Sequence, residues 1–195
     1  QGTGAYEGVP ALFCRCAVCR AAREKGGREV RTRSGALIDG ALKIDFPPDS
    51  YLHMLRYQLD FTGLKSLLVT HTHPDHFAVW DLLIRLERYA TVEEGAEPLT
   101  VYGSARCGEM LARRLACEPR GEETGRLRFV QMRPFEKVSI EGYRVTALPA
   151  KHMADEQALI YLIERAGRRL LYAHDTNVFD DAVFDFLRDA RLNLV

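Results

Sequence analysis

The chain has 195 residues, a formal net charge of zero and a pI near 7.2, so no global basic field marks it for nucleic acid. Hydrophobic content of 47% and charged content of 28% are ordinary for a globular protein, and the length suits one sizeable core, read here as a single domain over residues 1–195. No apolar run approaches the roughly 18 residues of a membrane span, and no signal peptide is legible, although Gln1 need not be the natural start.

Residues 2–10 open as a turn-rich loop around Gly2-Thr3-Gly4, by itself a weak signal. A basic stretch follows (Arg15, Arg20, Arg23, Lys25, Arg28, Arg31 and Arg33) and reads as a solvated helix and loop rather than a phosphate patch. Apolar runs at 34–38 and 42–46 flank Asp39-Gly40, a strong hairpin signal. Pro47-Pro48 breaks the sheet, and Asp49 or Ser50 can cap a helix over 51–59 in which His53 has no evident partner and reads as structural. Residues 66–70 form a short apolar run bounded by turn formers, hence a buried strand. A helix is expected from His76 onward, with Val79, Leu82, Leu83 and Leu86 on its apolar face. Next come a strand at 99–102, a helix over 105–116 capped by Ser104, and a polar loop at 117–126. Short strands are expected at 129–132, 138–140, 143–148, 159–163 and 169–173, with turns at Glu141-Gly142 and Ala166-Gly167. A helix over 180–188, with Phe184 and Leu187 on one face, and a buried strand at 192–195 complete the pattern. Strands with helices inserted between them predict a sheet sandwich covered by helices.

The densest chemical signal is His71-Thr72-His73-Pro74-Asp75-His76, directly after the strand at 66–70. It holds three of the six histidines in the chain and an aspartate, and neutral imidazole is a common ligand for first-row divalent ions. On an extended segment His71 and His73 point the same way and can grip one ion. Asp75 and His76 lie past the bend set by Pro74 and face a second point, so the motif offers ligands to two ions. Two-metal sites serve mainly hydrolysis, especially of phosphate esters.

This motif resembles the His-x-His-x-Asp-His signature of the metallo-β-lactamase-fold hydrolases, and other residues fit in order. Asp45 resembles the family's early buried aspartate, His152 its next metal-binding histidine, Asp175 the aspartate that bridges the metals, and residues 2–4 its Gly-Thr-Gly loop. The resemblance implies an α+β four-layer αββα sandwich. It also implies that the family's first strand and final metal-binding histidine fall outside residues 1–195, so that the fold reads as truncated at both ends. Two divalent ions, Zn or Mn, would be held by His71, His73 and His152, by Asp75 and His76, and by Asp175 between them. Asp75 would also orient the attacking water as it loses its proton. His174, if the strand is still extended, points to the opposite face and takes a packing or supporting role.

Cys14-Arg15-Cys16-Ala17-Val18-Cys19 brings three thiols close enough for one zinc ion, and a redox pair is the less fitting reading. The spacing resembles the phosphoribosyl cyclic phosphodiesterases of the carbon–phosphorus lyase pathway, in which such cysteines and a distant histidine hold a structural zinc. Cys107 and Cys117 read as ordinary thiols. Five cysteines, an odd number, argue against a disulfide framework and for a reducing compartment, so the expected location is the cytoplasm.

The favoured reading is a metal-dependent phosphodiesterase acting on a small cyclic phosphate through water activated by two metals. The expected partner is that small molecule, without a membrane or nucleic acid; a homodimer is left open. Three rivals stand beside it. A tRNA 3′-processing ribonuclease shares the ligand set but needs a basic RNA-docking arm, which does not appear here. Thioester or lactone hydrolysis would use the same metals with another pocket. A metal-stabilised binding module would favour a closed four-coordinate site over the paired arrangement.

Overall fold

The computed structural model describes residues 2–86, 89–118 and 125–195. The helix α1 (Ala17–Lys25) follows the cysteine segment and starts with Cys16 as its N-cap. The strands β1 (Ala36–Ile38) and β2 (Leu42–Ile44) pair antiparallel, and Ala41 N donates to Ile38 O at 2.9 Å to close the turn. Asp39 and Gly40 both adopt positive φ, 49° and 71°, as a primed turn requires, so the predicted hairpin forms.

The helix α2 (Ser50–Tyr57) leads to β3 (Ser66–Leu68), all three residues of which are buried. The expected cap on α2 is replaced: Asp49 occupies the N-cap position, but its carboxylate accepts Arg33 N at 2.7 Å and Arg33 Nη1 at 3.1 Å instead. After β3 the expected helix from His76 is also corrected. Residues 73–77 form a turn in which His76 N and Phe77 N both donate to His73 O, and α3 (Val79–Leu82) begins only beyond it, running into a 3-10 turn over Leu83–Arg85. Val79, Leu82, Leu83 and Leu86 are nonetheless all buried, as the apolar spacing demands.

The strand β4 (Leu99–Gly103), the helix α4 (Ala105–Leu115) and β5 (Leu127–Gln131) follow. Ser104 caps α4 as expected, its Oγ accepting Cys107 N at 3.2 Å. Most of the polar loop at 117–126 lies outside the described residues. The strands β6 (Lys137–Ile140), β7 (Tyr143–Pro149), β8 (Leu159–Arg165) and β9 (Arg168–Tyr172) come next, and α5 (Asp181–Leu187) packs beyond them. The expected buried strand at 192–195 is a single bridge from Leu194 to Leu170, and Leu194 and Val195 are exposed. In α5 the buried residue is Val183, while Phe184 lies half exposed against Phe179, because Val183, Phe186 and Leu187 form the face that meets the sheet.

The strands form two sheets, β1-β2-β3-β4-β5 and β6-β7-β8-β9. From β2 to β5 the first sheet is parallel, and parallel neighbours need crossovers, which α2, α3 and α4 supply. The second sheet is an antiparallel meander. Side-chain alternation along β8 sorts the layers: Leu159, Tyr161 and Ile163 meet Leu42, Ile44 and Leu68 between the sheets, whereas Ile160 and Leu162 face Val183 of α5. On the outer face of the first sheet Leu67, Val69, Leu99 and Val101 pack against Phe77, Val79, Leu82, Cys107 and Leu111. The result is the helix–sheet–sheet–helix sandwich expected of the chain. Among the described residues no helix is long and apolar enough to cross a membrane.

Candidate metal centre

The predicted ligands collect where strands end. In a parallel sheet the crevice beyond the carboxyl ends of the strands is where ligands bind. Here β2 delivers Asp45, β3 delivers residues 70–76, β7 leads to His152, and β9 leads to Asp175. Two hydrogen bonds tie the sheets together at this edge, Leu159 N to Thr70 O at 2.8 Å and Tyr161 Oη to Val69 O at 2.6 Å. Asp45 and Asp175 both adopt positive φ, 52° and 53°. Aspartate tolerates that region better than most residues, and the turn it makes aims each carboxylate across the edge instead of along the strand.

His71 Nε2 and His152 Nε2 each lie 3.0 Å from His73 Nδ1, and the His71 ring centroid is 4.7, 4.2 and 4.5 Å from those of His73, His76 and His152. Two groups of potential ligand atoms lie within 4.8 Å of one another: His71 with His73 and His152, and His71 with His76 and Asp175. His71 thus belongs to both groups, where the sequence placed it in one. Asp175 Oδ2 is 2.9 Å from His76 Nε2, 3.8 Å from His71 Nε2 and 3.9 Å from His152 Nε2. Asp75, buried beside them, brings Oδ2 to 3.4 Å from His76 Nε2 without joining either group.

Charge is divided between the two halves. Burial, then the neighbouring His76, His152 and His73, push the His71 imidazole down to about 3, so it is neutral with one ring nitrogen's lone pair available. His76 goes the other way: burial works against its charge, but hydrogen bonds to Asp175, Asp45 and Asp75 push it up to about 11. Asp175 is held well below the usual carboxylate range by hydrogen bonds from His174 and then His76. Crowded imidazoles beside ionised carboxylates make a donor set that suits a divalent cation.

The supporting residues are more numerous than the sequence suggested. Asp45 accepts Thr70 N at 2.8 Å and pairs with His76 Nδ1 at 2.8 Å. Lys43, fully buried, donates through Nζ to the main-chain carbonyls of Asp45 and Ile44. The expectation that His174 faces away from the site is corrected. The strand has ended at Tyr172, so the alternation no longer applies, and His174 Nδ1 sits 2.9 Å from Asp175 Oδ1 while Nε2 meets Ser34 Oγ at 2.6 Å. Ser34, His174 and Asp175 resemble a nucleophile triad in outline, yet Ser34 is 1% exposed and its hydroxyl donates to Gly4 O at 3.0 Å. That makes it a brace rather than a nucleophile. Gly4 must be glycine here, because a Cβ would lie 2.8 Å from Arg31 O. Glu156, also buried, accepts Thr72 N at 3.0 Å between two of the histidines. Ser34, Lys43 and Glu156 carry no motif of their own. His53, read as structural, is buried and bonds Thr32 Oγ1 at 2.7 Å.

At the cysteine segment the three thiols of Cys14, Cys16 and Cys19 lie within 4.8 Å of one another. Cys16 Sγ accepts Cys19 N at 3.5 Å, and that main-chain contact, followed by those with Cys14 and Cys19 thiols, draws Cys16 down to about 7. Cys107 is buried and Cys117 exposed, and neither joins a group of potential ligands among the described residues. A cavity of about 530 Å³ lies along the connection from β7 to β8, lined by Lys151 and Met153 on either side of His152, and by Gln157 and Asp180.

Similar folds are known. The crystal structure of a diphosphatase from the PhnP family superposes with a TM-score of 0.74 at 22% identity, covering 99% of this chain and 69% of that one. Zn(2+)-bound PqqB from Methylobacterium extorquens gives 0.71 at 21% identity, over 95% of this chain and 67% of that one. Human tRNase Z, short form, gives 0.56 at 15%, over 82% and 76%. In sequence, an octanoyltransferase from Porphyromonas gingivalis is 38% identical over 82 residues, a stretch covering 38% of this chain and only 15% of that protein. Residues 44–195, well over half of the chain, match the family described as the beta-lactamase superfamily domain. With that match, two facing sheets between helices and the histidine–aspartate cluster at their edge, the chain belongs to the beta-lactamase superfamily and has the metallo-β-lactamase fold of metal-dependent hydrolases.

Proposed function

We propose that the chain is a phosphodiesterase acting on a small cyclic phosphate such as phosphoribosyl 1,2-cyclic phosphate. The observation that carries this reading is the position of Asp175 Oδ2, between the three-histidine group and His76, at 2.9–3.9 Å from three imidazole nitrogens. His71, His73 and His152 would hold one divalent ion, Asp75 and His76 the other, and Asp175 would lie between them. Zn and Mn both suit these ligands. Ions held there supply Lewis acidity at phosphorus and bring a bound water's pKa toward neutrality.

The chain's own groups do the remaining work. Asp45 holds Nδ1 of His76, which fixes the tautomer and turns Nε2 toward the carboxylates. His174 takes Oδ1 of Asp175 and leaves Oδ2 facing the centre. Asp75, beside His76, would orient the attacking water as it loses its proton. The cavity of about 530 Å³ along the connection that carries His152 is of a size for a small substrate, and its Lys151 is paired with Asp180. Likeness to a diphosphatase adds support for phosphorus chemistry. Cys14, Cys16 and Cys19 would hold a structural zinc.

The test compares bis(p-nitrophenyl) phosphate, a p-nitrophenyl ester and a thioester as substrates of Zn- and Mn-loaded protein. Diester turnover that disappears in His73→Ala is the expected result. Turnover of the ester or thioester alone would overturn the substrate class, and cleavage of tRNA 3′ ends alone would favour the ribonuclease.

A further inference from the structure

Thr72 lies between His71 and His73, so whatever fixes its peptide also fixes the separation and aim of both imidazoles. Its main-chain N–H and its hydroxyl both donate to Glu156 Oε2, at 3.0 and 2.6 Å. The other oxygen of Glu156 accepts the hydroxyl of Ser104, which in turn caps α4 by accepting Cys107 N at 3.2 Å. Glu156 itself stands four residues past His152, on the same connection between β7 and β8. A carboxylate that is only 9% exposed has therefore been placed against three neutral donors. Such charge-assisted bonds are about twice as strong as neutral ones and demand fixed geometry.

We propose that Glu156 is a positioning residue of the metal centre, locking the loop that carries His71 and His73 to the loop that carries His152. The proposal rests on the reading of those three histidines as metal ligands. Two separate chain segments, 84 residues apart at Thr72 and Glu156, must agree to within a few tenths of an ångström for three imidazoles to meet one ion. No main-chain hydrogen bond in the described residues joins residues 71–73 to residues 152–156. The Glu156 carboxylate supplies that link.

The experiment measures Zn affinity by competition titration and, separately, the melting temperature of the metal-free protein. Wild type, Glu156→Ala, Glu156→Gln and Thr72→Val are compared. Glu156→Ala should weaken Zn binding about 10- to 100-fold, the usual cost of losing a supporting partner of a ligand. Glu156→Gln keeps one acceptor for Thr72 and can donate to Ser104, so it should restore most of the affinity. Thr72→Val should weaken binding less than Glu156→Ala, since its N–H remains. If Glu156→Ala binds Zn as wild type does while melting earlier, Glu156 is a staple of the fold and the proposal is overturned. If Glu156→Ala does not fold, Thr72→Val decides: weaker Zn binding with unchanged metal-free melting supports the proposal, and unchanged binding overturns it. Wild type that binds no Zn at the histidines would instead overturn the reading of the site itself.

Discussion

Replacing Lys43 with methionine should remove much of the protein's gain in stability between about pH 7.5 and about pH 9.5. Lys43 is fully buried on β2, with Nζ against the carbonyls of Asp45 and Ile44 and 5.8 Å from the Phe46 ring centroid. Burial pushes its ammonium down to about 7 from 10.5, and the Asp45 charge opposes this only in part. The unfolded chain keeps the ordinary value. Between the two values the unfolded state binds more protons than the folded one, so stability rises with pH. The penalty for burying the charge is complete below about pH 7 and absent above 10.5. At about 1.4 kcal/mol per pH unit, the lysine contributes about 2–3 kcal/mol across those two units. For a chain of this size that corresponds to a shift of about 4–12 °C in melting temperature. Methionine has a similar shape and no proton; the carbonyls it leaves unpaired cost about the same at every pH. Melting curves of both proteins at three pH values between about 7.5 and about 9.5 therefore isolate the lysine, because titrations that do not involve Lys43 cancel. Parallel pH dependences for wild type and Lys43→Met would refute the reasoning.

Ser34→Ala should lower diester turnover about 10- to 100-fold with the fold intact, since His174 loses the hydroxyl that orients it toward Asp175; circular dichroism beside the assay checks both halves. Because carboxylates push His76 up to about 11, a cation must displace its proton, and Zn affinity should fall about tenfold per unit as pH drops from about 8 to about 6. The same proton stabilises the metal-free fold fully below 6.5, and that contribution is lost as pH rises through about 11. Cys16→Ser should release one zinc per chain, read by a colorimetric chelator, without abolishing metal binding at the histidines. Gly108→Ala should destabilise by about 1–3 kcal/mol in urea unfolding, because its Cβ would lie 2.6 Å from Phe129 Cδ1.

Much of the site was legible because its signal is local. Six consecutive residues hold three of the clustered side chains and Asp75 beside them, and the apolar run before them announces the strand that presents them. Turn chemistry was equally plain at Asp39-Gly40, Glu141-Gly142 and Ala166-Gly167, where positive φ is needed at both positions. What the sequence hid depends on contacts between distant segments. Asp49 looks like a cap, but the arrival of Arg33 16 residues away decides where its carboxylate goes. Alternation along β9 pointed His174 outward, and the strand's end at Tyr172 removed the premise. Glu156 and Ser34 find their partners 84 and 140 residues away, so no spacing could reveal them. A lysine within a strand core is read as exposed by composition alone, and only the two carbonyls waiting at Lys43 show otherwise.

The central claim is that the two groups of ligand atoms around Asp175 form one hydrolytic metal centre. The most direct test counts Zn or Mn per chain by elemental analysis in wild type and Asp175→Ala, with bis(p-nitrophenyl) phosphate hydrolysis followed on the same samples. The account predicts two ions beyond the cysteine-bound zinc in wild type, fewer in Asp175→Ala, and loss of turnover with them. Equal metal content and equal turnover in the two proteins would contradict it.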